Sequence, residues 1–266
     1  MEISTIIGLV LGLASILVGM VLKGSSLMSL LVPAAYIIIL GGTAATLFIG
    51  FPMSELKRIP KLLKMIFVKP QLMDRKEMIT LFMEWASITR REGLLALESK
   101  VEEIDDNFLR NGMRMIIDGN DQEFVRDVLM EDINATEDRH KVGALIFSQA
   151  GMYAPSLGVL GAVIGLISAL SHMDNMDELA HAIGSAFIAT VLGISVGYII
   201  CHPISNKLKR LSKNEVDLRL MMVEGLLSIQ SGVSTIAISQ KLSVFLTPTE
   251  RLELNTDDKA GGSGEK

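Results

Sequence analysis

The sequence predicts an all-α membrane protein: four transmembrane helices in two hairpins, with a helical cytoplasmic domain between helices 2 and 3. Three observations carry this. Four apolar runs, within 3–22, 24–54, 154–173 and 179–206, contain no Asp, Glu, Lys or Arg, and each reaches the ~20 residues needed to cross a bilayer. The chain between the second and third runs is rich in charge and shows apolar residues at helical spacing. No stretch shows a strand-like alternation of useful length. The mean hydropathy of +0.42 alongside 21% charged residues fits apolar spans joined to a water-exposed portion.

The first span is Ile3–Leu22. A signal peptide is the competing reading, but no basic segment precedes Ile3, Glu2 is acidic, and no small-residue cleavage site precedes the second span. The second span has its expected helical core at Met28–Phe51. Pro33 falls in its first turns, where a missing N–H is tolerated, and Pro52 marks the exit. Residues 1–53 thus form the first hairpin.

Residues 54–144 read as the cytoplasmic helical domain. Leu56, Ile59, Leu62, Leu63 and Ile66 recur beside Lys57, Arg58, Lys61, Lys64 and Lys69. This basic amphipathic segment is suited to anionic lipid headgroups, or equally to an ordinary solvated face. Pro70 ends the pattern. A helix opens at Asp74 and runs to about Arg91, with Gly93 punctuating it and Leu94–Val101 continuing as another helical piece. Two more helices are predicted, Asp105–Ile117 and Asn120–Glu137, with the chain then running helically into the third span.

The second hairpin, 145–203, is the centre of the chain. Gly158, Gly161, Ala162, Gly165 and Ala169 share one helix face, and Ala182, Ala186, Ala189, Thr190, Gly193 and Gly197 form a similar stripe. Small faces let membrane helices approach closely, so these pack on each other or on sister subunits; part of the face is also suited to line an ion path. The connection over 172–178 is short and acidic. Residues 204–253 are amphipathic again and extend the fourth span into a helical pair with the third, followed by a shorter helix at about Ser234–Phe245 and a turn or helix start at Thr247–Glu250. Residues 254–266 are polar and expected to be disordered.

Charge sets the orientation. Of 25 Lys and Arg, 15 lie between Pro52 and Ala144 and 9 after Pro203, while Lys23 alone lies in a short loop. The positive-inside rule places the middle domain and both termini in the cytoplasm. The chemistry is sparse. There is no phosphate loop, nucleophile elbow, zinc motif or paired catalytic carboxylate, so no enzymatic activity and no cofactor are expected. His140, His172, His181 and His202 are scattered, Cys201 is single, and basic residues are interleaved with acids, which gives no support for nucleic-acid binding. The absence of charge in all four spans means that an ion-conducting role would need a carboxylate supplied by a partner subunit.

Three stretches resemble the MotA group of flagellar stator subunits within the MotA/TolQ/ExbB proton channel family: 90–98 (RREGLLALE), 154–165 (APSLGVLGAVIG), and 189–193 (ATVLG) continuing through Tyr198 to Pro203. The resemblance extends to about Arg251. It implies a homo-oligomeric ring, a pentamer in this family, around a MotB-like partner that supplies the ion-binding aspartate. It also implies a FliG-like rotor protein as the object of torque. Arg90 and Glu98 match the family's rotor-contact charges, and Pro155 and Pro203 its coupling prolines. The alternative for the charges is a solvated helix face, on which Arg91 and Glu98, seven apart, would be nearly eclipsed. Ala162 and Thr190 match ion-path positions where sodium-driven relatives tend to carry a hydroxyl at the first and a threonine at the second; Ala162 offers no oxygen, which favours protons. The rival readings are an ExbB/TolQ-like energising subunit, which typically has three spans, and a non-conducting membrane scaffold.

Overall fold

The computed structural model describes residues 3–68, 72–171 and 173–253. All of the regular structure among them is helical. Among the described residues four helices are long and apolar enough to cross a membrane: α1 (Ile3–Leu22), α2 (Pro33–Gly50), and the apolar parts of two much longer helices. Between α2 and the first long helix lie α3 (Ile59–Phe67), α4 (Arg75–Glu92), α5 (Glu98–Glu102) and α6 (Asn107–Ile117). The long helices are α7 (Gln122–Leu170) and α8 (Met176–Gln230), and α9 (Thr235–Leu242) follows.

The chain divides into two compact units. The described residues of the first fall within Met1–Pro70 and Arg139–Leu211, those of the second within Gln71–Asp138 and Ser212–Lys266.

In the first unit, α2 starts later than its sequence pattern predicts. Leu27–Leu30 forms a single 3₁₀ turn capped by Ser26, and the helix begins at Pro33, preceded by Val32 in an extended conformation. The residue before a proline is pushed out of the α region, and proline's fixed φ suits the first helical position. Two π-helical segments interrupt the spans, Ile37–Gly41 in α2 and Val196–Cys201 in α8. The second has a local cause. Pro203 cannot donate to a carbonyl four residues back, and its ring crowds that carbonyl, which here belongs to Ile199 inside the π segment.

α3 packs within this unit. Ile66 is fully buried against Ala144, Phe147 and Leu208, and Thr5 of α1 donates its hydroxyl to the Ile66 carbonyl at 3.3 Å. The Ser205 hydroxyl donates to the Ala144 carbonyl at 2.8 Å, tying α8 to α7 where both are buried.

The second unit has its own core. Met78, Phe82, Trp85 and Ala86 of α4 meet Leu109 and Met113 of α6, Leu129 and Ile133 of α7, and Met222 and Leu226 of α8. Phe82 and Trp85 meet edge to face with centroids 5.9 Å apart. α4 is capped by Asp74, whose carboxylate accepts from the Lys76 amide, and α6 by Asp106, which accepts from the Leu109 amide at 2.9 Å. At the far end Thr247 and Glu250 form a reciprocal cap: the Thr247 amide donates to the Glu250 carboxylate at 2.7 Å, and the Glu250 amide to the Thr247 hydroxyl at 3.4 Å. Thr247 therefore starts a helix, over 248–253. Residues 254–266, expected to be disordered, lie outside the described residues, as does His172.

Candidate functional site

The hairpin of α7 and α8 is built on the two small-residue stripes. A Cβ placed on Gly158 would lie 2.9 Å from the Ala189 carbonyl oxygen and 3.0 Å from the Gly193 Cα. One on Gly193 would lie 2.7 Å from the Ala154 oxygen and 2.8 Å from the Gly158 Cα. Gly165 faces Ala186, and Gly161 faces Ala189. The backbones therefore touch, and between Gly158 and Gly193 there is no room even for a methyl. The packing expected of the two stripes is what joins them.

The seam continues to Gly197, where an added Cβ would lie 2.6 Å from the Gly151 oxygen and 2.7 Å from Pro155 Cγ. Pro155 thus sits inside α7 with its ring against the π-helical segment of α8. Pro203, by contrast, is exposed and lies just after that segment. What links the two prolines is the π segment, which one touches and the other adjoins. Sequence reasoning missed Gly151 and His202. The imidazole of His202 lies within about 3 Å of where a Gly151 Cβ would stand, with its ring centroid 5.2 Å from that of Tyr198 and the two rings tilted at 51°. The signal was present: Gly151 lies seven residues before Gly158 and extends the same face.

Ala162 and Thr190 are half-buried beside the seam. The Thr190 hydroxyl donates to the Ala186 carbonyl of its own helix at 3.4 Å. Among the described residues no group of three or more His, Cys, Asp or Glu could hold a metal ion.

Arg90 and Glu98 belong to the second unit, on different elements. α4 ends at Gly93, whose φ of +86° is a conformation glycine adopts without strain. A 3₁₀ turn, Leu94–Leu97, then leads to α5, which Glu98 opens. The near-eclipsed relation of Arg91 and Glu98 requires one continuous helix, so the break at Gly93 removes it. Leu97 is fully buried and pins the turn. Arg90 and Glu98 are both exposed, and among the described residues neither forms an ion pair.

Glu98 also lines a small cleft of about 230 Å³ with Val101, Glu102, Arg114, Ile117 and Asp118. There Arg114 pairs with Glu102, and its hydrogen bond holds the Glu102 carboxyl below the ordinary carboxylate range. Nearby, Lys100 pairs with Glu84 at 2.7 Å, which raises the lysine's pKa. Glu98 is thus an acid without an ion pair beside the matched pairs Arg114–Glu102 and Lys100–Glu84.

Comparison with known proteins adds the following. The MotA/TolQ/ExbB proton channel family matches residues 100–221, and the motility protein A N-terminal family matches residues 6–93. Motility protein A of Bacillus subtilis is 51% identical over 266 residues, all of this chain and 98% of that protein. Motility protein A of Helicobacter pylori is 36% identical, over 94% of this chain and 97% of that one. The solved flagellar MotAB stator complex from Bacillus subtilis contains a chain with a TM-score of 0.89 to this one, at 53% identity, covering 93% of this chain and 97% of that chain.

Proposed function

The chain belongs to the MotA/TolQ/ExbB proton channel family, among its motility protein A members, and from that premise we propose how its residues work. It is an ion-conducting stator subunit of the bacterial flagellar motor. It crosses the inner membrane several times and assembles as an oligomer with a MotB-type partner. The observation that carries the mechanistic reading is the seam of α7 and α8: two spans in backbone contact, adjoining a proline and a π-helical turn, with no charged residue in either apolar segment.

A conducting path through such helices lacks a proton-binding group, so the partner's transmembrane aspartate supplies it. Each charge crossing yields ~2.3 kcal/mol per 100 mV. That energy is comparable to the repacking of a few side chains, which matches the scale of a small change at the Pro155–Gly197 contact and around Pro203 for each ion. The ring is a pentamer, both termini and the second unit are cytoplasmic, and Arg90 and Glu98 contact a FliG-like rotor protein. Their exposure and lack of ion pairs support that role, because a charge already matched within its own chain has less to offer a partner.

Ala162 and Thr190 line the path, and the ion is the proton. Thr190 presents one oxygen, already hydrogen-bonded to its own helix, and Ala162 presents none; sodium needs several oxygen ligands. The similarity to motility protein A over the whole chain leaves the ExbB/TolQ-like and scaffold readings with less support. The test of the torque surface is charge reversal. Arg90→Glu and Glu98→Lys each slow rotation while leaving the complex assembled, and a reciprocal reversal on the rotor restores part of the speed. Unchanged rotation with both charges reversed would overturn the assignment.

A further inference from the structure

The first unit contains a cavity of about 410 Å³ between α1, α3 and α8, within the size range of small-molecule sites. Leu9, Ile66, Ile199 and Ile204 supply its apolar wall. The polar side chains that line it are Ser4, Thr5 and Lys207. Ser4, Gly8 and Pro203 are exposed, so the cavity opens at the protein surface.

Its position has a definite chemistry. It sits at the ends of the apolar segments of α1 and α8 where basic residues gather: Lys207 is followed by Lys209 and Arg210, and α3 carries Lys61 and Lys64. A second cavity at the other end of the spans, about 470 Å³ and lined by Ser25, Ser29, His181 and Ser185 among others, has no Lys or Arg in its wall. An apolar slot with one ammonium and two hydroxyls at the membrane boundary matches an acyl chain joined to an anionic headgroup.

We propose that the cavity between α1, α3 and α8 is a binding site for an anionic phospholipid, with one acyl chain along Ile199 and Ile204 and the phosphate at Lys207. The site rests on the functional reading above only for its leaflet, which the cytoplasmic placement of the basic ends makes the inner one. A bound lipid here would touch α8 at Pro203, beside the π-helical segment.

The experiment uses the full chain, purified in detergent with its MotB-type partner. Phosphatidylglycerol and phosphatidylcholine, each with a photoreactive diazirine on one acyl chain, are added at equal concentration. Labelled peptides are then mapped by mass spectrometry. Phosphatidylglycerol labels 4–9 and 199–204 about fivefold more than phosphatidylcholine, the preference expected of one lysine acting on an anionic headgroup. Lys207→Gln brings the two lipids level. Gly8→Leu lowers labelling by both, because a side chain there enters the cavity, and a Cβ at Gly8 meets nothing within 4 Å.

Equal labelling by the two lipids in the unaltered complex would overturn the proposal. So would labelling unaffected by Gly8→Leu. The readout is independent of rotation, so failure of the torque surface would leave this result unchanged.

Discussion

Replacing Gly193 with alanine tests the seam at a single atom. The new Cβ would stand 2.7 Å from the Ala154 oxygen and 2.8 Å from the Gly158 Cα. Ordinary contacts at such atoms begin near 3.4 Å, so the helices must separate by several tenths of an ångström over a contact made of backbone, which cannot rotate away. Overpacking of this kind costs about 1–3 kcal/mol. Against it stands a helix-propensity gain of about 0.5–1 kcal/mol for alanine over glycine.

Gly184, on the same helix, isolates the two effects, since a Cβ there meets nothing within 4 Å. Gly184→Ala collects the propensity gain alone. The difference between the two variants is therefore the steric cost, centred on about 2 kcal/mol, or roughly 4–8 °C in Tm for a chain of this size. The assay is thermal unfolding of the purified complex with its partner, both variants side by side with the parent. Gly193→Ala melting within a degree of Gly184→Ala would refute backbone contact at the seam.

Other expectations follow from the rest of the molecule. Trp85→Ala removes a side chain 1% exposed and costs about 3–5 kcal/mol; limited proteolysis then cleaves within 72–138, while the spans stay protected. Glu250 has its carboxyl pKa lowered by the Thr247 amide and hydroxyl. A depressed folded pKa contributes stability that is present above the unfolded value and lost as pH falls through the folded one. Protection of the amides at 250–253 therefore drops on acidification below the ordinary glutamate range, and Glu250→Gln, which can keep the reciprocal cap but not the charge, flattens that response in hydrogen exchange. A protonophore stops rotation driven by this chain and external sodium leaves its speed unchanged; speed that tracked sodium would refute the proton assignment.

The parts of the fold that were legible in the sequence are those written in composition. Charge-free runs give the spans, and the Gly158 and Ala186 stripes give the faces that meet, because close approach admits only glycine and alanine. The caps at Asp74, Asp106 and Ser234 stand where apolar periodicity begins. Other features depend on partners distant in sequence. Ile59–Phe67 reads as a basic amphipathic segment of the intervening domain, yet its apolar face is satisfied by Ala144, Phe147 and Leu208, which no local pattern reveals. The late start of α2 turns on Pro33 and the extended residue before it, while Leu27–Leu30 is apolar enough to pass for helix.

The π-helical segment at Val196–Cys201 was hidden because a proline announces a lost hydrogen bond without saying how the helix absorbs it. At the torque surface, the identities of Arg90 and Glu98 came from a resemblance, and the glycine between them set their geometry. A heptad count across Gly93 treats as one helix what the backbone divides into three elements.

Rotation driven by this chain is tested most directly in tethered cells lacking their stator genes, followed motor by motor before and after induction of this chain with its MotB-type partner. Flagella are assembled but motionless beforehand; on induction their speed rises in discrete steps, with no steps when Arg90 and Glu98 are both reversed. Flagella that stay motionless with both proteins inserted in the membrane would contradict the stator role.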